Sequence, residues 1–342
     1  MLPILARIDS AASFNEQTWQ QQVAAQDTAS LYASHYDHQS RRFFNPWHPQ
    51  QKTWCDILKF FLSKTPYQTR PALRWGSLPL PEGGAYLHNN QACDSLTMLG
   101  HSSLALQING QVVLFDPFLS ARAFNIKRNR PPATTAQALP RQSLVLISHN
   151  HYDHLDRATI TQLSQASFFC PLGVGHLLAK WGAHIIQELD WWQEVIYNNV
   201  KLTFLPAHHW SKRLGQSDNR SLWGAWLVEI NGRRVFFGGD SAYFIGYQEI
   251  GRRYPGIELA LLPCGAFAPR WFMHQSHLNV EEMFIAFADL QAEALVPIHW
   301  GSITLGHEPA DEPARLIQER LKRDSWLQSK VHCLPVGGRL IL

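Results

Sequence analysis

His149, His151, Asp153 and His154 crowd into six residues of the segment LVLISHNHYDHLD, directly behind the short apolar run Leu144 to Ile147. Three further segments repeat the arrangement of apolar residues followed by a ligand-type side chain. KLTFLPAHHW ends in His208 and His209, RRVFFGGD in Asp240, and ALVPIHWG in His299. Imidazole and carboxylate without cysteine suit zinc or another first-row divalent ion. Counting one histidine of the His208/His209 pair, seven groups are available, more than one tetrahedral ion accepts. An aspartate with two oxygens can bridge two ions. Two ions about 3.5–4 Å apart lower the pKa of a shared water to about 7, which supplies a nucleophile at neutral pH. Taken singly, these residues have ordinary explanations. Asp240 fits a Gly-Gly-Asp turn, and His101, His176, His184 and His332 fit hydrogen-bonded core positions.

The elements that must position these groups are legible as patterns. A strand buried on both faces reads as a continuous apolar run, and side chains just beyond several such strands converge on one edge of a sheet, where ligand sites are built. In extended backbone His149 and His151 project to the same side, while Asp153 and His154 follow a turn. Gly301 after His299 suggests a strand end where another backbone or a ligand approaches closely. SLTMLG, SSLALQING and QVVLFDP predict strands, with Asn109-Gly110 as a hairpin turn. DRATITQLSQ predicts a helix, FFCPL a strand, and VGHLLAKWG a helix ending on glycine. Strands at 200–205, 222–230 and 233–238 precede a helix over 280–290, started by Asn279 with Glu282 at capping-box spacing. Strand-rich halves, each followed by helices, predict an α/β fold of two face-to-face sheets with helices outside. Before residue 92 the chain alternates polar stretches with aromatic anchors (Phe43, Phe44, Trp47, Trp54, Phe60, Phe61) and prolines at 66, 71, 79 and 81. This predicts an extension, 1–92, that wraps a catalytic domain, 93–342. Within the extension, WCDILKFFLSK predicts a short helix.

Composition sets limits. At 342 residues and 45% hydrophobic content the chain can bury a large core in one or two domains. A net charge of +3 gives no strong field for nucleic acid. Cys55, Cys93, Cys170, Cys264 and Cys333 are scattered and odd in number, which reads as reduced buried thiols and a cytoplasmic compartment. No apolar run reaches membrane-spanning length, and MLPILARIDS is too short in its apolar part for a secretory signal.

The chain resembles the metallo-β-lactamase-fold hydrolases, and within them the branch containing N-acylphosphatidylethanolamine-hydrolysing phospholipase D. The resemblance is carried by FFNPW at 43–47, LGHSS at 99–103, DPFLSARA at 116–123, SHNHYDHLD at 148–156, ELDWW at 188–192, PAHHWSKR at 206–213, LWGAW at 222–226, GGDSAY at 238–243, APRWFM at 268–273 and IHWGS at 298–302. It implies a four-layer αβ/βα sandwich and selects His209, next to Trp210, over His208. It further implies that His149, His151 and His209 hold one ion and Asp153, His154 and His299 the other, with Asp240 bridging. Two divalent ions are expected, zinc foremost with iron or manganese as alternatives. Asp153, Asp240 and His277 are the expected catalytic groups. Arg270, Trp271 and His277 are the expected substrate contacts. Asn279 stands where relatives often carry aspartate. Trp191, Trp192, Trp210, Trp223, Trp226 and Trp271 could line an acyl-chain groove, although large buried aromatics are more often core. The resemblance thus implies phospholipase D-type cleavage of N-acylphosphatidylethanolamine or another phosphodiester. Lactone or ester hydrolysis and a non-catalytic scaffold are the alternatives. Peripheral, mostly hydrophobic membrane contact and a homodimer are compatible with it.

Overall fold

The computed structural model describes residues 14–48, 52–63, 67, 80–89 and 92–342. The apolar stretch 1–10 and the prolines at 66, 71 and 79 lie outside the described residues. Two large sheets form the body. The first has seven strands in the order Ile185–Leu189, Ser167–Pro171, Leu144–Leu146, Gln111–Phe115, Ser103–Ile108, Ser95–Gly100, Arg339–Ile341. The second has six, in the order Glu194–Tyr197, Val200–Leu205, Ala225–Ile230, Arg233–Phe237, Leu259–Pro263, Ala294–Ile298. Each sheet mixes antiparallel hairpins with parallel pairs, and the parallel strands are those crossed by helices. The Asn109-Gly110 turn takes positive φ at both residues, 49° and 75°, as a tight hairpin requires.

One apolar layer lies between the sheets. Leu104, Leu106, Val113 and Phe115 of the first meet Phe204, Val228, Val235 and Phe237 of the second, and the rings of Phe115 and Phe237 are 4.8 Å apart. The other face of the first sheet packs Val112, Leu114, Val145 and Phe168 against helices Arg157–Gln162 and Gly175–Lys180. Helices Gly246–Arg253, Val280–Asp289 and Glu312–Arg323 send buried residues Ile250, Phe287 and Ile317 into the first-named layer's cluster. The capping box on Asn279 is formed: its side chain accepts from Glu282 N and the Glu282 carboxylate accepts from Asn279 N. The result is helices, sheet, sheet, helices.

Trp19, Val23, Leu31, Phe43 and Trp47 of the first half-hundred residues belong to the same buried cluster as both sheets. The helix Trp54–Leu62 is different. It carries a Thr53/Asp56 capping box yet buries none of its residues, with Trp54 80% and Phe61 75% exposed. One expectation needs correction. Cys55 and Cys93 are exposed free thiols, because the segments that carry them run over the surface. Trp191, Trp223 and Trp226 are core residues whose indole N–H groups donate to the buried carbonyls of Trp223, Ala207 and Ile147 respectively, so they line no groove.

Candidate metal centre

Three ring nitrogens converge where the strands end. His149 Nε2 is 2.9 Å from His151 Nδ1, which is 3.2 Å from His209 Nε2. The outer nitrogens settle the tautomers. His209 Nδ1 lies 2.9 Å from the Ser276 carbonyl, which can only accept, so Nδ1 carries the proton and Nε2 a lone pair. His149 Nδ1 donates to Ser148 Oγ at 2.9 Å, because that hydroxyl in turn donates to Asp116 Oδ2 at 2.5 Å. Lone pairs facing one another at this spacing repel unless a cation sits among them. Zinc–nitrogen bonds of about 2.0–2.1 Å in a tetrahedron put ligand atoms roughly 3.3 Å apart, close to what is found.

A second group lies alongside. His154 Nε2 is 3.4 Å from Asp153 Oδ2 and 3.2 Å from Asp240 Oδ2, and His299 Nε2 is 3.5 Å and 3.1 Å from the same two oxygens. Asp240 Oδ2 is also 4.0 Å from His149 Nε2 and 3.8 Å from His209 Nε2, so this one carboxylate touches both groups. Its Oδ1, together with His154 Nε2 and both nitrogens of His299, is buried without a hydrogen-bond partner. Orphaned buried atoms of ligand type, aimed at common points, fit divalent ions.

The backbone is bent to achieve this. His299 and Asp116 adopt positive φ, 63° and 36°, a conformation that costs energy for residues with a Cβ and collects at functional sites. Gly239, at φ +57°, precedes Asp240 where a Cβ would stand 2.7 Å from the Ser148 Cβ, so only glycine lets the two sheets' ends meet. The close approach expected at Gly301 occurs instead at Gly265, where a Cβ would stand 1.9 Å from the His299 carbonyl oxygen. Gly301 has open space and supplies a positive φ of 74°.

Several supporting residues had no role in the sequence reading. Asp116 accepts from His154 Nδ1 at 2.6 Å and from Ser148 N at 2.7 Å, fixing the His154 tautomer. His101, expected among the hydrogen-bonded core histidines, bonds Asp153 Oδ2 through Nε2 at 2.9 Å, with its ring 4.1 Å from that of His299. Arg213 donates to the carbonyls of Asn150 and Leu155, bracing the loop that carries His151 to His154. Asn45 donates to the His209 carbonyl at 3.0 Å, and Trp47 Nε1 donates to His208 Nδ1 at 2.8 Å. His208 therefore faces the N-terminal segment while its neighbour faces the other ligands. For Asp116 the signal was present, since QVVLFD repeats the apolar-run-then-aspartate pattern of RRVFFGGD.

His277 stands at the rim, with Nδ1 3.9 Å from Asp240 Oδ2 and its ring 5.3 Å and 5.4 Å from those of His209 and His299. Arg270 is occupied elsewhere. Its Nε donates to Glu16 at 2.6 Å, Nη2 to Glu282 at 2.8 Å and Nη1 to the His277 carbonyl at 3.1 Å. It reaches the site by holding the His277 backbone, with its guanidinium directed at two carboxylates. Trp271 lies half-buried beneath the Lys59 ammonium, and Phe272 stacks on Phe60 at 4.8 Å, joining the rim to the exposed helix. Trp210 packs on the His151 ring at 4.6 Å.

The two groups differ electrostatically. Burial lowers His149 and His209 well below the ordinary imidazole range and His151 to about 4, so their lone pairs are free at neutral pH. In the second group burial opposes charge, but the carboxylates outweigh it, holding His154 well above its ordinary value and His299 at about 9. Burial likewise pushes against ionised Asp153 and Asp240, yet the adjoining rings hold both well below the carboxylate range. The pocket is thus a sink for positive charge. Burial lowers His277 to about 3 against the pull of Asp240.

Comparison with known proteins agrees with this geometry. Residues 111–300 match the family described as the β-lactamase superfamily domain. The chain is 30% identical over 296 residues to N-acyl-phosphatidylethanolamine-hydrolyzing phospholipase D 1 of Caenorhabditis elegans, covering 78% of this chain and 82% of that one. It is 31% identical over 257 residues to the mitochondrial N-acyl-phosphatidylethanolamine-hydrolyzing phospholipase D of Saccharomyces cerevisiae, covering 70% of this chain and 54% of that one. Among solved structures, the metallo hydrolase Igni18 of Ignicoccus hospitalis shares the fold with a TM-score of 0.56 and 21% identity, over 72% of this chain and 97% of that one.

Proposed function

Because this chain belongs to the β-lactamase superfamily and is a metal-dependent hydrolase, we propose that its reaction is phospholipase D-type cleavage of a phosphodiester in a phospholipid such as N-acylphosphatidylethanolamine. The observation that carries the lipid part is the helix Trp54–Leu62. It offers Trp54, Leu58, Phe61 and Leu62 to solvent beside Trp271 and Phe272, at the rim of the metal centre. A two-chain lipid must keep its acyl chains in apolar surroundings while its phosphate reaches the metals, and an exposed apolar face next to the site serves that need. Among the described residues no helix is long and apolar enough to cross a membrane, so the contact is peripheral.

His149, His151 and His209 would hold one ion, Asp153, His154 and His299 the other, and Asp240 would touch both. When bound, the ions, zinc foremost, supply Lewis acidity toward phosphoryl oxygens and activate water. The chain's own groups do the rest. Asp116 and Ser276 fix ring tautomers, His101 orients Asp153, and Arg213 holds the ligand loop against thermal excursion. His277, neutral and directed at Asp240 from the open side, is placed to donate a ring N–H hydrogen bond to the departing oxygen.

The test is a comparison of substrates on metal-loaded protein, with elemental analysis expected to give about two ions per chain. N-acylphosphatidylethanolamine in vesicles should turn over faster than a soluble aryl phosphodiester, and Trp271→Ala or Leu58→Asp should slow the lipid reaction selectively. Turnover of a lactone but of neither phosphodiester would replace this reading with ester hydrolysis. No turnover of any of the three by fully loaded protein would leave a non-catalytic scaffold.

A further inference from the structure

In the phosphodiester reading an anionic phosphate comes to the rim of the metal centre, where Arg270 is committed to Glu16, Glu282 and the His277 carbonyl. Other cations near the rim are also engaged. Lys212 pairs with Asp218 at 2.8 Å, and Arg213 donates to two backbone carbonyls. Lys52 is not engaged in this way. Its Nζ donates to Ser276 Oγ at 2.8 Å and stands 4.4 Å from the centre of the Phe272 ring, and among the described residues no carboxylate lies within ion-pair distance of it. An ammonium has three N–H donors, and among the described residues one of them has a partner.

We propose that Lys52 is the substrate-positioning cation of this enzyme, holding an anionic phosphoryl oxygen at the entrance to the metal centre. The inference rests on the phosphodiester reading above. Ser276 links the two places: its hydroxyl takes the Lys52 ammonium and its carbonyl takes the proton of His209. His277, next in the chain, feels the Lys52 charge along with those of Asp240 and His299. Behind Lys52 the lining is imidazole, which burial keeps neutral. His48, His208 and His274 gather around Trp19, and His208 Nε2 is buried without a partner. Burial lowers the Lys52 ammonium to about 8, with the Asp56 carboxylate, beyond ion-pair distance, pulling the other way. Such a group is costly to retain unless an anion arrives to meet it. Lys52 would set the orientation of a phosphate from the side opposite His149, His151, His209 and the other residues that would hold the ions.

The probe is inorganic phosphate, titrated calorimetrically into metal-loaded wild-type protein, Lys52→Met, Lys52→Gln and Lys52→Arg, with the KM for a soluble aryl phosphodiester measured in parallel. Loss of a charge-assisted hydrogen bond should weaken phosphate binding by about tenfold or more in Lys52→Met and Lys52→Gln. KM should rise in proportion, with a much smaller effect on kcat, and Lys52→Arg should recover most of the affinity. In wild type KM should climb as pH passes about 8, and in Lys52→Arg that climb should vanish. Gln retains a polar contact to Ser276, so it reports even where Met fails to fold. Wild-type phosphate affinity in either neutral variant, with diesterase activity and metal content intact, overturns the assignment of Lys52 alone. A wild-type protein that neither binds phosphate nor cleaves any phosphodiester overturns the parent reading and this one with it.

Discussion

Replacing Asp116 with asparagine tests whether the second metal position depends on a residue that touches no metal. The Asp116 carboxylate is fully buried and receives three hydrogen bonds, from Ser148 N at 2.7 Å, Ser148 Oγ at 2.5 Å and His154 Nδ1 at 2.6 Å. Asparagine keeps the shape but has one acceptor oxygen and one donor group. With the oxygen toward Ser148, the new NH2 faces His154 Nδ1, and the imidazole must move its proton to Nε2, where the metal should bind. With the oxygen toward His154, the buried Ser148 N–H is left unpaired, at about 1–3 kcal/mol. Either arrangement should weaken the metal at Asp153, His154 and His299 by about 10–100-fold, the usual effect of losing a carboxylate behind a ligating histidine, or roughly 1.4–2.7 kcal/mol. The histidine set at 149, 151 and 209 should lose less, since only His149 is linked to Asp116, through Ser148. Competition with a chelator of known affinity resolves the two dissociation constants, and thermal unfolding of the metal-free protein controls for folding. A second dissociation constant within twofold of wild type, in a folded variant, would refute the argument that Asp116 sets the tautomer.

His209→Ala should lose metal and activity together, whereas His208→Ala should keep its metal and lose thermal stability through the severed Trp47 contact; the reverse pattern would show that the wrong neighbour had been assigned. The two metal positions should also respond differently to pH. His299, held at about 9, and His154 must give up protons before a metal can replace them, so apparent affinity there should fall as pH drops from 8 to 6, while the His149, His151 and His209 position stays level because its rings are already neutral. Chelator competition at three pH values checks this, and parallel pH slopes for both positions would contradict it. The sign for stability follows. A raised His299 pKa stabilises the metal-free fold fully below about 6.5, and that contribution is lost as pH rises through about 9, so the stability metal-free wild type holds over a His299→Gln variant should shrink between pH 6 and pH 9.

The strands and the ligands at their ends were legible because both signals are local. An apolar run marks a buried strand, and a histidine or aspartate directly after it marks the sheet edge where ligands gather, as for His149, Asp240 and His299. The capping box at Asn279 and the hairpin at Asn109-Gly110 were readable for the same reason. What escaped is long-range. Nothing near Arg270 in sequence announces Glu16, 254 residues away, so its residue type fitted a surface or ion-paired arginine and only the resemblance made it a substrate contact. Nothing near Lys52 announces Ser276, 224 residues on. The tryptophans fitted either a groove or the core. Composition supplied their number, but only cross-sheet contacts such as Trp226 to the Ile147 carbonyl separate a core indole from one at the rim.

The segment 14–48 docks on parts of the chain made long after it. Asn45 meets His209 across 164 residues, Tyr32 meets Glu249 across 217, and Glu16 meets Asn279 across 263. At a synthesis rate of about 5–20 residues per second, the wait on the ribosome for the last of these is on the order of 10–50 s. During that interval Trp19, Phe43 and Trp47 have no core to enter. The piece of chain that completes the metal centre thus emerges well before its partners and is among the last to find its place. Yield in a cell should accordingly depend on chaperone supply and growth temperature more than the stability of the finished fold would suggest.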